Sequence, residues 1–170
     1  MALRPQALRR RAIRLVRSPW LLWRWTEFTI PSTLNLAPFL EVLLEPVRCA
    51  TLQAQLQLGL QEALVNAVRH GNGNDPSKWV RIRRIETPRW WIWQVQDEGQ
   101  GLPHSARRGA LPDHCDATGG RGLYLIHQCF DDVRWSRRGN RLQLAVIRSR
   151  NQADLFSADG LDSPDRSALL

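Results

Sequence analysis

A single α+β domain, with helices layered on one face of a mixed, mainly antiparallel sheet, is the fold this sequence predicts, and three observations carry it. Apolar residues recur at three- and four-residue spacing in separate stretches. Short runs rich in Trp, Ile and Val alternate with polar residues in between. The order of these patterns is strand, two helices, hairpin, loop, helix, hairpin, with no internal repeat of solenoid length.

Each element follows from local chemistry. Residues 27–30 finish a strand that begins near Trp23, and Pro31-Ser32-Thr33 turns the chain into an apolar stretch, 34–47, of helical type. Thr51 is the expected cap of a longer helix reaching about His70, on which Leu56, Leu60, Leu64 and Ala67 form a buried stripe. Gly71-Asn72-Gly73-Asn74-Asp75-Pro76 stops that helix. Strands over 79–86 and 89–97, joined at Thr87-Pro88, read as a hairpin. Its Trp79, Trp91 and Trp93 are expected to pack on a core or a dimer contact rather than to stack on single-stranded nucleic acid. Residues 98–120 lack periodicity and form a loop. Residues 122–130 are helical, and 133–137 with 141–147 make a second hairpin about Gly139-Asn140.

The size fits one domain with tails: 170 residues, 43% of them hydrophobic and eight of them Trp, are enough for a packed core. No run approaches the roughly 20 apolar residues of a membrane-spanning helix; the most apolar segment, 19–25, is broken by Arg24. Cys49, Cys115 and Cys129 are widely spaced and form no disulfide framework, so the cytoplasm is the expected location. The net charge of +8 is unevenly spread. Residues 1–25 hold Arg4, Arg9, Arg10, Arg11, Arg14, Arg17 and Arg24 and no acid, whereas 151–170 hold four Asp against Arg166. The expected organisation is a basic arm, 1–22, a mildly basic domain, 23–150, and an acidic, disordered tail, 151–170. The domain's weak charge gives no reason to expect a direct nucleic-acid partner. The arm lacks the h-region and cleavage site of a secretory signal. It reads as a solvated segment, helical up to Ser18-Pro19, with a transit peptide or a contact with anionic lipid as the alternatives.

Three constellations carry chemistry. On the long helix Glu62 and Asn66 stand four apart on one face, opposite the Leu stripe. A carboxamide oxygen there suits Mg²⁺, and the carboxylate suits a proton acceptor. At a strand end, Asp97-Glu98-Gly99-Gln100-Gly101 sets a carboxylate, able to accept from the exocyclic amine of adenine, beside glycines that admit a flat ligand. Finally, Gly119-Gly120-Arg121-Gly122 leads into a helix, whose free N–H groups make a phosphate site. Taken singly these are a solvent-edge pair, a turn and a helix start. In this order they supply metal and base, adenine pocket and phosphate grip of one nucleotide site. His104, His114 and Cys115, by contrast, have spacing that fits no closed tetrahedral zinc set.

The segments QEALVNAVRHG, DEGQGL and GGRGLYLI resemble the N box and the two glycine boxes of the GHKL ATPases, the Bergerat-fold group that includes histidine kinases, gyrase, repair proteins and heat-shock chaperones. Within it, EAxxNAxxHG and RGLYLIHQCFDDV look like the bacterial anti-sigma factor serine/threonine kinases. The resemblance covers about residues 25–149. It implies a two-layer α/β sandwich that binds ATP with Mg²⁺, phosphorylates Ser or Thr of a STAS-type antagonist, otherwise holds a sigma factor, and forms a homodimer. By that resemblance Glu62 is the general base, Asn66 the Mg²⁺ ligand and Asp97 the adenine-binding acid. Gly99 and Gly101 shape the base pocket, and Gly120, Arg121 and Gly122 meet the phosphates. Residues 103–119 correspond to the ATP lid, although His104, Arg107, Arg108 and His114 match no motif, and the arm and Trp-rich strands are not family hallmarks. The alternatives are a nucleotide-gated binding module without phosphotransfer and a histidine-kinase-like ATPase domain. The latter normally follows a phosphoacceptor hairpin for which about 25 residues are too few, and His70 reads as a helix-end capping or packing residue.

Overall fold

A computed structural model of the chain describes residues 9–11, 24–107 and 121–148. Its strands are β1 (Arg9–Arg11), β2 (Arg24–Pro31), β3 (Trp79–Glu86), β4 (Trp90–Gln96), β5 (Asp132–Trp135) and β6 (Arg141–Ile147). They form one sheet in the order β1-β2-β3-β4-β6-β5, and every pairing among the described residues is antiparallel. Three helices, α1 (Ala37–Leu44), α2 (Ala50–Asn66) and α3 (Arg121–Cys129), complete the α+β sandwich.

Alternation decides which face of the sheet is covered. Because side chains reverse with every residue, the register Phe28–Ile82–Val95–Leu142 across four strands brings one row of apolar residues to the same face. Ile30, Val80, Trp91, Trp93, Leu144 and Val146 join it, all buried. Against this face α2 lays Leu52, Leu56, Leu60 and Leu64, so the leucine stripe lies in the core as its spacing predicts. Gly59 lets α2 approach the end of α3: a Cβ there would stand 2.7 Å from Cys129 and Phe130 atoms. The sheet also holds α1 by polar ties, the Trp93 indole donating to the Leu43 carbonyl at 3.1 Å and Arg84 donating to the Val42 carbonyl at 2.7 Å.

The structure corrects several sequence expectations. Arg9–Arg11, expected as helix or solvated arm, extend along β2 with Arg10 opposite Phe28. An edge strand offers unpaired N–H and C=O groups, and an extended arm satisfies them. The helical stretch 34–47 shrinks to α1, since Pro38 occupies its first turn and Pro46 follows its end. Cys49, not Thr51, caps α2, and the Gln53 N–H already closes the first turn on the Cys49 carbonyl at 2.8 Å. That helix does not run α-helically to His70. From Ala67 to Gly71 it widens into a π turn, closed by the Asn72 N–H on the Ala67 carbonyl at 2.7 Å. Trp91 and Trp93 are buried, but Trp79 is 41% exposed. The second hairpin's first strand is Asp132–Trp135. The expectations for the rest of the arm, the acidic tail, and the loop centre 108–120 with His114, Cys115, Gly119 and Gly120 lie outside the described residues. Among those described, no helix is long and apolar enough to cross a membrane.

Candidate functional site

A cavity of about 470 Å³ opens where four pieces of chain converge: the end of α2 with its π turn, the segment after β4, the start of α3, and the β5–β6 hairpin. Its volume lies within the range of small-molecule sites. Val95, Leu142 and Trp135 form its floor on the sheet, and Ala63, Ala67 and Leu123 its apolar side. The polar groups on its lining are few: Asn66, His70 and Asp97.

Asp97 is pinned by its surroundings. Its N–H donates to the Asn140 carbonyl at 3.1 Å, and the Asn140 amide donates to the Asp97 carbonyl at 3.4 Å. On the side chain, the Gly99 N–H donates to Oδ1 at 2.8 Å. Burial raises the Asp97 carboxyl above its ordinary 3.8, opposed by hydrogen bonds from the Gly99 and Asp97 N–H groups and then by the charges of Arg138 and Lys78. The glycines around it are there for closeness. A Cβ on Gly99 would collide with the Gly71 carbonyl, so the π turn and the loop after β4 meet backbone to backbone. Gly101 has φ of +93°, which suits only glycine, and rests against the Arg138–Asn140 turn.

The polar pair of α2 meets the other glycine segment. A Cβ on Gly122 would lie 2.8 Å from Glu62 Oε2 and 3.6 Å from Asn66 Nδ2. Glu62 and Asn66 thus both face the first turn of α3, where backbone N–H groups have no intrahelical acceptor. Asn66, Asp97, Gly101 and Gly122 line the one cavity. Glu62 stands beside it, half-buried against Gly122, and Gly99 is buried behind the wall. Arg121 opens α3 with its side chain exposed, and Gly120 falls outside the described residues. His70, read from sequence as a capping or packing residue, instead lines the cavity, because the π turn advances the residues that follow Asn66.

Several residues of the site went unmarked in sequence. Asn72, only 1% exposed, donates to Ser32 Oγ at 3.3 Å and to the Trp79 carbonyl at 3.2 Å, while its Oδ1 accepts from the Glu98 N–H at 2.9 Å. It ties the π turn, the start of β3 and the Asp97 loop together. Arg107 spans three carbonyls, those of Leu102 at 3.0 Å and of Ser136 and Arg137 at 3.2 Å, and so holds the Leu102–Pro103 wall against the β5–β6 turn. Asn72 sits in a Gly/Asn turn run, and nothing in that composition distinguishes a buried Asn from an exposed one. Trp135 had its periodicity as a signal, but not its place in the cavity.

A family model described as the histidine kinase-like ATPase domain matches residues 33–146, most of the chain and the whole of this site. The chain belongs to the histidine kinase-like ATPase domain family. No curated protein matches it. Histidine kinase-like ATPase domains of the GHKL type bind ATP, typically with Mg²⁺. The side chains of this histidine kinase-like ATPase domain fit those groups. A carboxamide oxygen at Asn66 is the hard neutral donor that Mg²⁺ accepts, and the half-buried Asp97 carboxylate offers only acceptors to a base edge.

Proposed function

We propose that the domain is a Mg-ATP-dependent protein serine/threonine kinase of the anti-sigma regulatory type, which phosphorylates a STAS-type antagonist and in its other state sequesters a sigma factor. The observation that carries this reading is the convergence of Glu62 and Asn66 on Gly122. A proton acceptor, a metal-binding oxygen and a helix N-terminus then share one corner, the set that phosphoryl transfer to a hydroxyl needs. The family match supports the ATP-binding part of the reading, and the EAxxNAxxHG form supports the protein-kinase part.

In this reading Asp97, ionised, accepts from the exocyclic amine of adenine, and Gly99 and Gly101 keep the walls thin enough for the ring. Asn66 would hold Mg²⁺ through its carboxamide oxygen, and the ion when bound supplies charge neutralisation at the phosphates. The α3 N-terminus, with Gly120, Arg121 and Gly122, meets the phosphate oxygens. Glu62 takes the proton of the acceptor Ser or Thr hydroxyl as that oxygen bonds to the γ-phosphorus and the bond to the ADP oxygen breaks. The working form is a cytoplasmic homodimer without direct nucleic-acid contact, and the basic arm beyond β1 is the part suited to anionic lipid.

The test is transfer of label from γ-labelled ATP with Mg²⁺ onto proteins of the source-cell extract by the wild type and by Glu62→Ala. Label on one small protein, at Ser or Thr, with the wild type alone is the expected result. ATP binding without transfer by either protein overturns the kinase assignment in favour of a nucleotide-gated binder.

A further inference from the structure

The floor of the cavity is a row across three neighbouring strands. Val95 on β4 is opposite Leu142 on β6, and Leu142 is opposite Trp135 on β5. Side chains paired in this way share a face of the sheet, and all three line the cavity. Val95 and Leu142 are buried aliphatic residues, while Trp135 is the half-buried aromatic end of the row, packed on the core from its edge.

The indole N–H of Trp135 is buried without an acceptor among the described residues. Leu or Phe would complete the same wall with no donor left unpaired, and a buried unpaired donor is unfavourable. What tryptophan adds to a cavity wall is a broad, flat, polarisable face. Two residues beyond Val95 on the same chain segment, Asp97 offers the carboxylate that accepts from an amino group. A planar heterocycle that carries an amino group suits this arrangement, its amine at that carboxylate and its ring over the Val95–Leu142 floor.

We infer that Trp135 is a specificity-determining residue for the nucleobase: its indole is the aromatic wall of the base pocket, and a purine ring packs against it. The inference rests on the nucleotide reading above and adds the residue that distinguishes a large flat base from the rest of the ligand. It therefore separates base from phosphate affinity. Stacking of a base on an aromatic side chain is strong enough that its loss weakens binding by about tenfold or more.

The experiment is calorimetric titration of the full chain with Mg-ATP, adenosine and Mg-tripolyphosphate, comparing wild type, Trp135→Phe and Trp135→Leu. Trp135→Leu is expected to weaken ATP and adenosine by about tenfold and to leave tripolyphosphate unchanged, with Trp135→Phe between the two. Adenosine bound equally well by wild type and Trp135→Leu overturns the inference. So does a loss shared equally by adenosine and tripolyphosphate, which marks a purely structural role. Trp135→Phe keeps a ring in the wall and settles the question should the leucine variant fail to fold. If the wild type itself binds neither ATP nor adenosine, the nucleotide reading fails, a result distinct from unchanged binding by the variants.

Discussion

Gly71 and Asp97 are in contact across the cavity wall: a Cβ on Gly71 would stand 2.6 Å from Asp97 Oδ2 and 2.7 Å from its Cβ. The π turn that ends the long helix therefore sets the position of the one carboxylate among the residues that line the cavity. Both residues line the cavity, so the packing constraint and the binding surface coincide.

Gly71→Ala follows directly. The added methyl must displace the Asp97 side chain or the π turn, and overpacking of this kind costs about 1–3 kcal/mol. We expect a lower urea midpoint and ATP affinity reduced about tenfold, since 1.4 kcal/mol is about one decade. Equilibrium unfolding and titration calorimetry on the same preparation check both.

Asp97→Asn should separate stability from binding. Burial raises the Asp97 pKa in the folded protein above its ordinary 3.8. The folded state then holds the proton more tightly than the unfolded chain. The stabilisation linked to that proton is complete below about 3.8 and is lost as pH rises through the folded value. The uncharged Asn variant is accordingly expected to be the more stable at neutral pH, with the gap closing as the solution is acidified. Binding runs the other way. Wild-type ATP affinity should fall as the carboxyl is protonated, whereas the variant binds more weakly, and with no such pH dependence, across a series of buffered titrations.

Asn66 and Glu62 should fail differently. Asn66→Ala is expected to abolish the Mg²⁺-dependent part of ATP affinity. Glu62→Ala is expected to bind ATP as the wild type does and to lower transfer by about 10²–10⁴-fold, the usual contribution of a positioned base. Wild-type transfer by the Glu62 variant would remove the assigned base.

Asn72→Ala leaves the Glu98 N–H without its acceptor and removes both donations, to Ser32 and to the Trp79 carbonyl. A destabilisation of about 1–3 kcal/mol is expected from the groups left unsatisfied. Weaker ATP binding should accompany it, because the Asp97 loop loses its tie to the π turn. An unchanged urea midpoint would show that solvent replaces these bonds without loss.

The long leucine helix and the Trp-rich hairpin were legible because periods of 3.6 and 2 are written in adjacent residues, and burial follows those periods at Leu56, Leu60, Leu64, Trp91 and Trp93. Asn66, Asp97, Gly101 and Gly122 were also legible, as polar or glycine positions that broke an apolar pattern. The extended conformation of Arg9–Arg11 was not, since an arginine run has no period and its strand exists only through pairing with β2. Nor was the π turn, whose extra residue per turn leaves no trace in local propensity. Asn72 and Arg107 escaped because their partners, 7 to 40 and 5 to 30 residues away, lie on other elements that only folding brings beside them.

By itself the sequence determined the α+β layering, the apolar face of each element and the chemical types available to the site, all of which depend on neighbours along the chain. Only the tertiary structure decided that Glu62 and Asn66 meet Gly122, that Gly71 touches Asp97, and that Trp135 completes the floor begun by Val95 and Leu142. Those relations arise from strand register and helix packing, and distances between residues far apart in sequence exist only once the sheet has paired and the helices have closed over it.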